Sequence, residues 1–217
     1  MIDLHTHSFL SDGELIPSEL VIRAEKIGYR AIGITDHVDF SNYKDVIKSI
    51  LEFQKRFQTS FKIIVIPGAE ITYVPPPLIP EFAKEIRSFG IKLIVVHGET
   101  LAETVPEETN FYALKSDIDI LAHPGLITYE LVKTAKEKGI CLEITSRKGH
   151  SLSNGNVAKL ASEAGANIVI NTDSHSPSNL ITKEKAIKIG LGAGLNMKDV
   201  EKAFLNSENL VKKITNK

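Results

Sequence analysis

Apolar residues gather along this chain in short unbroken runs, four of them introduced by a glycine and closed by polar residues. One phrase recurs with altered wording: "KIGYRAIGITDH", "SFGIKLIVVH", "EKGICLEITS" and "EAGANIVINTD". A glycine there suits the left-handed residue that closes a helix, and the Val/Ile/Leu-rich run after it reads as a strand buried on both faces. The repeating unit is therefore helix, glycine, strand, polar tip.

Three further runs fit the scheme: "MIDLH" at the start, "KIIVIPGAEIT" at 62–72 and "DIDILAHPG" at 117–125. That makes seven strands. Helical spacing of apolar positions predicts helices over Pro17–Ile27, Tyr43–Phe57, Pro80–Phe89, Tyr129–Lys138 and Leu152–Ala164, with a weaker one over 102–116 and a closing amphipathic helix from Met197 to about Ile214. The proline-dense "TYVPPPLIPE" at 72–81 reads as a stiff extended loop. Seven units in 217 residues average about 31 each, the size of a βαβ element. The expected architecture is one domain, 1–217, in which a parallel sheet closes or nearly closes into a barrel. Periodicity alone also permits an open doubly wound sheet.

Composition narrows the partners. With 26 Lys and Arg against 27 Asp and Glu, the net charge of -1 offers no general field for nucleic acid or anionic lipid. The lone Cys141, inside "GICLEI", excludes a disulfide framework and a cysteine-rich metal site, and reads as a buried inert thiol. No charged and apolar leader pattern precedes "MIDLHTH", and no apolar stretch is long enough to span a bilayer, so a soluble cytoplasmic protein is expected.

The histidines carry the chemistry. Six of the seven fall at or just past a predicted strand tip: His5 and His7 after the first, then His37, His97, His123 and His175. The third strand ends in Glu70, and the seventh also supplies Asp173; only the sixth lacks an obvious ligand. In a parallel barrel all strand C-termini face one mouth, so residues scattered over the chain converge there. Any one histidine alone is most simply a satisfied core residue, but six coincidences are not. Imidazole with carboxylate suits zinc, manganese or iron, and with Asp12 of the opening stretch the nine donors exceed what one ion takes, implying two or three.

In order, "DLHTHSFLSDG", "GITDH", "PGAE", "VVH", "LAHPG" and "NTDSH" resemble the motifs of the PHP (polymerase and histidinol phosphatase) family over practically the whole chain, and the likeness is greatest to its small free-standing members. The resemblance implies a distorted (β/α)7 TIM-like barrel with a trinuclear metal site. By similarity His5, His7, Glu70 and Asp173 would hold one divalent ion, Glu70, His97 and His123 a second, and Asp12, His37 and His175 a third. The role of Asp12 rests on the resemblance alone, since "SDG" is otherwise an ordinary turn signal.

Such a site implies phosphate-ester hydrolysis by a metal-bound hydroxide, with Glu70, Asp173 and His175 acting through the ions. After the sixth strand, Arg147, Lys148 and His150 are candidate phosphate contacts, or simply a solvated basic turn. Asp3, Asp36, Glu99, Asn171 and Ser174 are candidates to orient the metal-bound imidazoles. The leading expectation is a phosphomonoesterase acting on a small phosphorylated metabolite of histidinol-phosphate type. Nucleotide or oligonucleotide phosphodiesterase or exonuclease activity is the enzyme alternative, and a metal-binding regulatory module the non-enzyme one. Long nucleic acid is not expected as a partner, nor is a membrane, and the oligomeric state is left open.

Overall fold

A computed structural model describes residues 1–215. Strands and helices alternate: β1 Ile2–Thr6, α1 Pro17–Lys26, β2 Ala31–Ile34, β3 His37–Val38, α2 Tyr43–Phe57, β4 Ile64–Ile71, α3 Ile79–Ser88 and β5 Leu93–His97. There follow α4 Thr109–Leu114, β6 Ile120–Ala122, α5 Tyr129–Lys138, β7 Cys141–Thr145, α6 Asn154–Ala164, β8 Ile168–Asn171, α7 Lys183–Gly192 and α8 Met197–Thr215. All pairings are parallel, in the order β1-β2-β4-β5-β6-β7-β8, and β3 continues the second strand of the barrel by pairing with β4.

The recurring glycines do what the pattern implies. Gly28, Gly90, Gly139 and Gly165 all take positive φ, between 69° and 98°, directly after α1, α3, α5 and α6. Two details differ from expectation. The run Pro76–Leu78 forms a 3₁₀ turn that leads straight into α3, because the fixed φ of proline suits the first turn of a helix as well as an extended loop. The stretch 183–192, which the apolar pattern leaves unassigned, forms α7, with the Thr182 side chain accepting from Lys185 N to cap it.

The ring meets itself at β1 and β8, and only near the strand tips does backbone bond to backbone. His7 N donates to Ser174 O at 2.8 Å and Asp173 N to His5 O at 2.9 Å. Below that point side chains span the gap. Leu4 N donates to Asn171 Oδ1 at 2.9 Å, while Asp3 accepts from Thr172 Oγ1 at 2.6 Å and from Thr172 N at 3.2 Å. Asp3 and Asn171 therefore stitch the barrel, and this seam is the distortion in the seven-stranded ring.

Inside the barrel the inward residues change character from bottom to top. β4 runs Ile66, Gly68, Glu70; β5 runs Leu93, Val95, His97; β7 runs Cys141, Glu143; β8 runs Val169, Asn171. The lower members form one apolar cluster with Ile2, Leu4 and Ile120, closed from below by Leu210, Val211 and Ile214 of α8. Burial pushes the Cys141 thiol in this cluster up to about 12, as expected of an inert thiol. The outward faces, such as Ile32, Ile94, Leu142 and Ile170, pack against the helices. No helix among the described residues is long and apolar enough to cross a membrane.

β1 holds a bulge that serves the site. Asp3 pairs with Ile32 and Thr6 with Ile34, so Leu4 and His5 together oppose the single Gly33. Leu4 joins the apolar floor and His5 the polar layer above it. A side chain at Gly33 would not fit, because its Cβ would stand 2.7 Å from Leu93 Cδ2 and 2.9 Å from Leu4 O. Gly33→Val should therefore lower stability by about 1–3 kcal/mol, read as a lower urea midpoint. Gly192→Ala, where a Cβ meets nothing within 4 Å, should be neutral or slightly stabilising. Equal effects of the two changes would refute the packing argument.

Candidate metal centre

Every strand of the ring except β7 delivers a donor at its tip to the open top of the barrel. His5 and His7 leave β1 on one side, His37 starts β3 directly beside Glu70 of β4 in the pairing register, and His97 ends β5. His123 follows β6, while Asp173 and His175 follow β8. His123 and Asp173 take positive φ of 26° and 53°, uncommon for residues with side chains, and strain of this kind is concentrated at functional sites. Asp12 is brought in by a loop that Asp36 builds: that carboxylate accepts from Ser8 N and Ser8 Oγ, both at 2.7 Å, and from Ser11 Oγ at 2.8 Å.

Glu70 is fully buried at the centre. Its oxygens lie 3.3 Å from His5 Nε2, 3.4 Å from His7 Nε2, 2.8 Å from His37 Nδ1 and 3.8 Å from His123 Nε2. Asp173 Oδ1 stands 3.3 Å from His7 Nε2 and 3.7 Å from His5 Nε2. To one side, Asp12 Oδ1 faces His175 Nε2 at 3.1 Å, His37 Nε2 at 3.6 Å and His7 Nδ1 at 3.9 Å. To the other, the donor atoms of His97, His123 and His150 lie within 4.8 Å of one another.

These spacings fit shared cations. Donors held at about 2.0–2.2 Å from one zinc ion stand roughly 3–3.5 Å from each other. Among the described residues, the buried side-chain atoms without a well-aligned hydrogen bond are His5 Nε2, both ring nitrogens of His7, both oxygens of Glu70, and Nδ1 of His97, His123 and His150. All belong to imidazole or carboxylate side chains of one cluster. Buried and unpaired, each would cost about 1–3 kcal/mol, so the residues present fit bound metal ions.

Burial opposes the charged forms of His5 and His37, but Glu143 and Glu70 facing the first and Glu70 facing the second raise both above the ordinary imidazole range. Burial drives His7 and His123 well below the ordinary imidazole range, helped by His37 and His175 for the first and by His97 for the second. Neutral imidazole is the form that binds a metal. Burial also opposes ionisation of Glu70, but the His5 and His37 imidazoles outweigh it and hold the carboxyl well below its usual range. Asp173 is pushed up to about 7 by burial, against the pull of His5 and with the charge of Glu70 adding to the rise.

All nine donors named from the sequence meet in this mouth. Of the three candidate phosphate contacts, Arg147 lines the adjoining cavity of about 400 Å³, with Nη1 donating to Asp173 O at 3.2 Å and Nε 3.5 Å from Asp173 Oδ2. Lys148 points to solvent outside that lining. His150 also lines that cavity and is buried against His123, ring centroids 4.3 Å apart, so it borders both the cavity and the donor cluster. Glu99 accepts from Asn110 N and organises a loop, touching no donor histidine.

Two carboxylates escaped the sequence reading. Glu143, on the strand without an obvious ligand, is wholly buried; its Oε1 accepts from His5 Nδ1 and from Asn171 Nδ2, each at 2.8 Å. The signal was a charged residue at an inward position of the apolar run "CLEIT". Glu103 lies in a loop after β5, where no pattern marks it, and reaches both His97 and His150.

Comparison with known proteins agrees with this geometry. The model of the PHP domain matches residues 3–151. The chain is 50% identical over 215 residues to an uncharacterized protein of Methanocaldococcus jannaschii, covering 98% of this chain and 99% of that one. It is 27% identical to a probable phosphatase of Clostridium novyi, over 81% of this chain and 79% of the relative. It is 26% identical to the DNA polymerase/3'-5' exonuclease PolX of Bacillus subtilis, over 80% of this chain but only 34% of that protein. In fold alone, it resembles a chain in archaeal ribonuclease P with mature tRNA (TM-score 0.76, 18% identity, 100% of this chain and 92% of that one).

Removing metal should destabilise the protein. Chelator-stripped protein is expected to melt at lower temperature and to recover with zinc, manganese or iron, by about 2.7 kcal/mol at a hundredfold excess over Kd. No metal-dependent shift would contradict the fit. Because Glu70 faces four imidazoles and Asp12 is half exposed at the edge, Glu70→Ala should lose more metal equivalents than Asp12→Ala, counted by elemental analysis. Equal losses would argue against a central Glu70.

Proposed function

The chain belongs to the PHP domain family, and from that membership we propose that its mouth hydrolyses phosphate esters, most simply the monoester of a small metabolite such as histidinol phosphate. Family and phosphatase-named relatives together support a metal-dependent phosphoesterase. The observation that carries the reading is the convergence of nine donors, with their unpaired buried atoms, beside a cavity that also presents Arg147.

His5, His7, Glu70 and Asp173 would hold one ion, His97 and His123 with Glu70 a second, and Asp12, His37 and His175 a third. Bound there, divalent ions would screen phosphate charge and acidify water for attack on phosphorus. The chain's own groups do the rest. Arg147, in the cavity lining, would bind a phosphoryl oxygen through the N–H groups that its contacts with Asp173 leave free. Glu143 holds His5 through Nδ1, leaving Nε2 towards Glu70 and Asp173. A cavity of about 400 Å³ matches a small ester in size.

A second reading, hydrolysis of nucleotide or short oligonucleotide diesters, draws on the exposed aromatic rings of Phe40 and Tyr73 after β3 and β4, which offer stacking surface for a base. A substrate panel separates the two. Protein carrying metal should cleave p-nitrophenyl phosphate and histidinol phosphate faster than bis(p-nitrophenyl) phosphate and dinucleotides. The reverse order would favour the diesterase, and metal-replete protein inert to all of them a binding module.

Arg147→Ala should retain its metal but raise KM roughly tenfold or more, as loss of a charged hydrogen bond worth about 1.5–3 kcal/mol implies. Unchanged kinetics would remove Arg147 from phosphate binding.

A further inference from the structure

The loop after β5 carries a carboxylate into the mouth that is not among the nine donors. Glu103 Oε2 lies 3.3 Å from His97 Nε2 and Oε1 lies 3.3 Å from His150 Nε2, so one side chain spans two imidazoles. Tyr73, at a φ of 54°, donates its hydroxyl to Glu103 Oε2 at 3.1 Å and stacks its ring on His97. His97, His123 and His150 are exposed by only 4%, 1% and 4%, and each leaves Nδ1 unpaired. His150 lines the cavity beside Glu103 and is also packed on His123, which sets its ring among the same group of donor atoms as His97 and His123.

Resting on the reading of the mouth as a metal centre, we propose that His150 and Glu103 are ligands of the ion held by His97 and His123, with Glu103 the donor that an incoming phosphate displaces. With Glu70, which the reading above places on the same ion, three imidazoles and two carboxylates would more than fill a four-coordinate ion such as zinc. A fully closed position is structural, while a catalytic one needs a place for substrate, so one donor must yield. Glu103 is the one built to do so. Its side chain is 39% exposed where the histidines are nearly sealed, it sits on a loop instead of beside a strand tip, and its oxygens carry the charge of a phosphoryl oxygen. Tyr73 holds it in place until phosphate arrives.

Cobalt titration of metal-free wild type, His150→Ala, His150→Gln and Glu103→Gln, with the visible spectrum recorded, tests this. Wild type should take up two to three equivalents. The His150 variants should weaken one equivalent by at least roughly tenfold, the lower end of what losing even an outer-sphere partner costs, and alter the cobalt bands through loss of an imidazole. The glutamine variant serves if the alanine variant fails to fold by circular dichroism. Glu103→Gln should bind inorganic phosphate roughly threefold more tightly or better, because the competent open state is more populated.

Unchanged cobalt affinity and spectrum in a folded His150 variant, beside a wild type that binds normally, would overturn the ligand assignment alone. Phosphate binding by Glu103→Gln that is unchanged or weaker would overturn the displacement. A wild type that takes up no cobalt would defeat the metal-centre reading beneath both.

Discussion

The seam between the first and last strands is the constraint on which the site rests. Asp173 and His175 stand almost a full chain length from His5 and His7, and they meet only because β8 closes on β1. That closure is made by few backbone bonds and by two side chains, Asp3 and Asn171, buried where β1 and β8 diverge. Asn171 also donates to Glu143, which in turn orients His5. The polar groups that hold the barrel shut are thus continuous with those that aim its first donor.

Above the seam the interior departs from what a core usually is. The lower barrel is apolar and plugged by α8, and each inward series ends at the top in a histidine, a carboxylate or an amide. Burying so many imidazoles and facing carboxylates with donor atoms unpaired costs free energy that apolar packing elsewhere must offset. Cations shared among the donors would remove that cost and so would couple the integrity of the upper barrel to metal. The positive φ values of His123, Asp173 and Tyr73 fit the same picture, since strained backbone persists where surrounding bonds over-determine it.

Fold and ligand positions were legible to different degrees. The glycine-strand phrase repeats because each unit solves the same local problem, ending a helix and starting a doubly buried strand, so strand count and the placing of donors at strand tips could be read directly. α7 was less clear, because its apolar positions are few and its end carries Gly190 and Gly192. Glu103 and Glu143 show two other ways in which sequence falls short. Glu143 hides inside an apolar run, and its charge makes sense only once β7 is seen to point it into the polar layer. Glu103 lies in a loop whose course no periodicity records.

His150 marks the boundary most sharply. Its neighbours Arg147 and Lys148 made it look like part of a basic turn, but the 3₁₀ turn after β7 buries it on His123 while leaving Lys148 in water. By itself the sequence determined that a parallel sheet would gather histidines and carboxylates at its strand tips, because hydrophobic runs set the strands and strand direction sets the tips. Only the tertiary structure decided which donors face one another and which loop residues join them, because loop paths and side-chain directions depend on packing between segments far apart in the chain.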